Sequence, residues 1–103
     1  MLLREKDKQT LESIFKEITG DFEVWAYGSR VNGTAHEGSD LDLVIKRNDS
    51  QPVPYEVMDQ LRENLTESNI PILVEIRDWV RIPESFRKNI LDKYEVLYRS
   101  GKL

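Results

Sequence analysis

Apolar side chains recur at Leu11, Ile14, Phe15 and Ile18, the i, i+3, i+4, i+7 spacing of an amphipathic helix, and Gly20 offers a C-terminal stop. At FEVWAY (22–27) the period changes. Aromatic and β-branched residues alternate there as in a strand, which Gly28 ends. LDLVIK (41–46) reads as a second strand, followed by the polar, proline-containing loop RNDSQPVP. Pro54 then fits an early helical position, and Val57, Met58, Leu61 and Leu65 form one apolar stripe. NIP breaks that helix, and ILVEI (72–76) predicts a third, largely buried strand. Ile82-Pro83 opens a short helix carrying Phe86 and Ile90, while YEVLY fits either a closing strand or the end of that helix. The order mixes helices with a small sheet, an α+β arrangement, and its most glycine-rich stretch lies between the first two strands.

That stretch carries the candidate chemistry. In a strand, residues i and i+2 share a face, so Asp40 and Asp42 project together while Leu41, Leu43 and Ile45 project to the other side. Two carboxylates roughly 6–7 Å apart at their α-carbons repel unless a positive charge stands between them. A hard divalent cation such as Mg²⁺, which takes oxygen ligands and substrate phosphates, is the natural counter-charge. Gly28 lets the backbone approach a phosphate closely, and Ser29, if it opens a short helix SRVNG, adds N–H groups and a hydroxyl. Arg30 would contact phosphate or pair with a nearby carboxylate. Gly28, Ser29, Arg30 and Ser39 are the candidate nucleotide-binding residues.

On the third strand Glu75 would face Asp40 and Asp42 if the two strands are neighbours. Three carboxylates suffice for two metal ions, with Glu75 as metal ligand or general base during in-line displacement at phosphorus. The plainer reading of Glu75 is a rim carboxylate paired with Arg77. His36 is a lone loop histidine, and Trp25 and Trp79 are most economically core or subunit-interface residues.

Composition narrows the picture. The 103 residues are 39% hydrophobic and 33% charged, which describes a globular chain, expected as one domain over 1–103. The apolar runs are too short to span a membrane, and the charged N-terminus is not a secretory signal. The absence of cysteine excludes thiolate metal sites and is compatible with a reducing cytoplasm. A net charge of −4 disfavours direct binding of long nucleic acids.

GSRVNGTAHEGSDLDLVI resembles the Gly-Ser-x10-Asp-x-Asp signature of the DNA polymerase β-like nucleotidyltransferase superfamily. The short length, and the run from VWAYGSR through VEIRDW, are similar to its minimal nucleotidyltransferase (MNT) group. The resemblance implies the nucleotidyltransferase palm, a small mixed sheet with helices packed against it. It implies Gly28 and Ser29 on the triphosphate of ATP, Mg²⁺ (two ions) at Asp40 and Asp42, and Glu75 where the third carboxylate stands. The commoner pattern has Asp there, one methylene shorter. It further implies a hetero-oligomer with a HEPN-domain toxin, this chain being the antitoxin that transfers AMP to a hydroxyl of its partner. A neutraliser acting by contact alone, and transfer to a small-molecule hydroxyl, are the competing readings.

Overall fold

The computed structural model describes residues 1–36 and 38–101. Its elements are α1 (Glu5–Lys16), β1 (Phe22–Tyr27), α2 (Ser29–Asn32), β2 (Leu41–Arg47), α3 (Tyr55–Glu67), β3 (Val74–Asp78), a 3-10 turn (Trp79–Arg81), α4 (Glu84–Asp92) and β4 (Glu95–Arg99). The strands form one sheet in the order β3-β2-β1-β4. β1 runs antiparallel to both neighbours, whereas β2 and β3 are parallel. A parallel pair cannot be joined by a hairpin, and α3 makes the crossover.

Period-two alternation divides the sheet between two apolar clusters. Val24, Ala26, Leu41, Leu43, Ile45 and Ile76 pack with Leu11 and Phe15 of α1 and with Met58, Leu61 and Leu65 of α3. On the opposite face Trp25, Tyr27 and Val44 meet Ile82 and Ile90, with Trp79 and Phe86 packed against them. Trp25 and Trp79 meet edge-to-face at 5.2 Å between centroids, so both belong to this second cluster. Among the described residues no helix is long and apolar enough to cross a membrane.

Three predicted boundaries move. α1 ends at Lys16 and not near Gly20; Glu17 and Ile18 turn their amides back onto Ile14 and Phe15, so Ile18 keeps its apolar contact from outside the helix. Pro54 caps α3 from outside. The third strand starts at Val74, extends to Asp78, and is an edge strand, not a largely buried one. Within it Ile76 and Asp78 are buried while Glu75 and Arg77 are exposed. Asp78 tolerates burial because it accepts the Val53 N–H at 2.8 Å and lies 3.0 Å from the Arg81 guanidinium. YEVLY resolves as a strand, since β4 pairs along β1.

Candidate active site

Tyr27, the last residue of β1, is the register partner of Asp42. Gly28 therefore leaves the sheet directly alongside that carboxylate. Its φ of +82° and ψ of −157° lie in a region essentially restricted to glycine. A β-carbon there would stand 2.6 Å from Asp42 Oδ2. α2 is a single turn, with the Val31 and Asn32 amides both donating to the Gly28 carbonyl at 3.0 Å. Ser29 begins it, as the sequence predicts, and is half-buried.

The return to β2 is stapled by its own polar groups. Ser39 Oγ accepts the His36 N–H at 3.0 Å, and His36 Nδ1 accepts the Gly38 N–H at 3.1 Å. His36 thus organises the loop, exposed on its surface. Arg30 is buried, donating from Nε to the Ser39 carbonyl at 2.9 Å and from Nη1 to the Leu2 carbonyl at 2.6 Å. Through the Ser39 bond Arg30 ties α2 to the segment that leads into Asp40.

The carboxylates are arranged around Asp42. In the parallel β2–β3 register Asp42 stands opposite Glu75, so both side chains share one face. Asp40 lies two residues earlier and is exposed. Partial burial raises the Asp42 pKa above the ordinary carboxylate range; Glu75 and Asp40 push it further in the same direction, and Arg77 partly offsets them. Among the described residues no three acidic or imidazole groups converge on a single point. Glu75 lies across the sheet from Asp42, and Asp40 lies two residues before it along the chain.

Three side chains that sequence reasoning left outside the site complete this face. Arg77 places Nη2 3.8 Å from Glu75 Oε2 and lies over the Phe86 ring at 5.5 Å. Tyr27 meets Phe86 edge-on at 5.8 Å. Its hydroxyl pKa is raised by burial and by Asp42, against a lowering hydrogen-bonding interaction with Arg77. The available signals were sparse: Arg77 is two residues from Glu75 and shares its face, and Tyr27 immediately precedes Gly28.

Residues 9–102 match the family described as Polymerase beta, Nucleotidyltransferase. The chain belongs to this nucleotidyltransferase family. It is 34% identical over 100 residues to the probable protein adenylyltransferase MntA of Haemophilus influenzae, covering 97% of this chain and 86% of that protein. This similarity places the nucleotidyltransferase in the minimal group. Its fold also matches a solved structure described as a crystal structure of the toxin-antitoxin with AMP-PNP. The TM-score is 0.73 at 16% identity, over 91% of this chain and 74% of the other. The expected α+β nucleotidyltransferase architecture and enzyme class are both borne out.

Proposed function

We propose that this nucleotidyltransferase transfers AMP from ATP to a hydroxyl on a HEPN-type partner toxin, acting as the antitoxin of the pair. The observation that carries the reading is the register pairing of Asp42 with Glu75 beside the Gly28 turn. Its similarity to a probable protein adenylyltransferase and to a toxin-antitoxin structure with AMP-PNP supports the donor and the partner class.

Asp40, Asp42 and Glu75 fit Mg²⁺ by donor chemistry, being hard oxygen ligands on one partly open face with unfavourable mutual repulsion. When bound, the metal would neutralise phosphate charge and favour ionisation of the attacking hydroxyl. The protein's own residues do the rest. Gly28 lets the triphosphate approach the backbone, and Ser29 offers its hydroxyl and N–H. Arg30 and Ser39 hold the loop that carries Asp40. The acceptor oxygen bonds to the α-phosphorus as pyrophosphate leaves with the bonding electrons, and the acceptor proton passes to a base for which Glu75 is the candidate.

Incubating the protein with its toxin partner, ATP and Mg²⁺ is expected to add AMP to the partner by intact mass. The Asp40→Ala/Asp42→Ala variant should add none; equal modification by that variant would overturn the assignment. Glutamate at the third carboxylate position, with the Arg77 guanidinium 3.8 Å away, favours a second reading, neutralisation by contact alone. It predicts that the same double variant protects cells from the toxin as well as the wild type.

A further inference from the structure

We propose that Arg77 is the resident counter-cation of Glu75 and sets the affinity of the carboxylate face for divalent metal. The inference rests on the reading of Glu75 as a metal ligand, and it adds a residue which that reading does not contain.

The placement of Arg77 differs from that of the neighbouring arginines. Arg30 and Arg87 direct their guanidinium groups to main-chain carbonyls, of Ser39 and Leu2 and of Trp79 and Val80 respectively. Arg81 is committed to the buried Asp78. Arg77 instead faces Glu75 at 3.8 Å, in a pair whose two side chains are 49% and 45% exposed. An ion pair this open contributes little to stability, so breaking it is cheap. The guanidinium also has a second support, the Phe86 ring at 5.5 Å, on which it can rest without Glu75.

A guanidinium stays charged at any working pH, so it cannot leave by losing a proton. A dication approaching Glu75 therefore meets a fixed positive charge on the carboxylate it must bind. Metal entry requires Arg77 to give up Glu75 and withdraw toward Phe86 and Tyr27. The pair opposes occupancy at Glu75 by direct competition, beside the field that the same guanidinium exerts on Asp42.

Mn²⁺ binding to the full chain without nucleotide, followed by loss of the free-ion electron paramagnetic resonance signal, tests this. Arg77→Met keeps the stem on Phe86 and removes the charge; it should tighten Mn²⁺ binding by about three- to tenfold. Arg77→Lys should stay near wild type. In a Glu75→Gln background the effect of Arg77→Met should fall below about twofold, since the shared carboxylate is gone. Unchanged or weaker binding by Arg77→Met overturns the proposal, as does equal tightening with and without Glu75. Failure of the underlying site reading looks different: Glu75→Gln alone would leave Mn²⁺ affinity unchanged, removing Glu75 from the ligand set and the inference with it. Melting curves in chelator establish that each variant is folded.

Discussion

Gly28 and Asp42 occupy space that only one of them can fill: a β-carbon on Gly28 would stand 2.6 Å from Asp42 Oδ2. The Gly28→Ala change must therefore both strain a backbone at φ +82° and displace the carboxylate. It should lower stability by about 1–3 kcal/mol in urea titrations with chelator present, and weaken Mn²⁺ binding in parallel. Wild-type behaviour in both measurements would mean that the close approach is not what requires glycine here.

Asp42 itself is a liability to the metal-free fold. Its carboxyl pKa is raised by burial, then by Glu75 and Asp40. The native state therefore holds its proton more tightly than the unfolded chain, and ionisation disfavours folding. Asp42→Asn should stabilise the chelated protein at neutral pH by a few tenths to about 1 kcal/mol, the range left after solvent screening. The gain should be full above the folded-state pKa of Asp42 and vanish as pH falls below the ordinary carboxylate value. Denaturant titrations at pH 7.5 and 3.5 check this; destabilisation at the higher pH would contradict it.

Arg30 stands on different ground, because it donates to two main-chain carbonyls. Arg30→Met leaves the Ser39 and Leu2 oxygens without these donors at a part-buried position, and should cost about 1–3 kcal/mol. Its local signature is faster hydrogen exchange at the Ser39 amide, which donates to the His36 carbonyl at 3.0 Å. Exchange unchanged at that amide would remove Arg30 as the pin of the loop.

At the far end of β3, Asp78→Ala deprives the buried Val53 N–H of its acceptor. The expected loss is about 1–3 kcal/mol by chemical denaturation. Asp78→Asn should recover part of it, because the side-chain carbonyl can still accept that bond. An alanine variant as stable as wild type would show that the bond contributes nothing net.

Much of this was legible because it is local. The aromatic and β-branched run at 22–27, closed by Gly28, places β1 to the residue. Period two assigns Leu41, Leu43 and Ile45 to the core and Asp42 to the opposite face. What escaped reading depends on tertiary placement. Nothing in ILVEI reveals that it borders only one strand, so its burial was overstated. The meeting of Tyr27, Arg77 and Phe86 joins three separate elements. Arg30 donates to two main-chain oxygens, whose positions no side-chain pattern encodes.

The parallel pairing of β2 with β3 has a kinetic consequence. Asp40 and Asp42 arrive with the β1–β2 pair, whose antiparallel contacts are comparatively near in sequence. Glu75 joins them only after α3 has formed and carried the chain back across the sheet. Contacts of such long range close late, because loop entropy must be overcome first. A chain still emerging from the ribosome, or clipped within the 48–54 loop, thus holds two of the three carboxylates and lacks the third. With Glu75 in the role proposed above, activity is a late property of the nascent chain, gained only when the crossover closes.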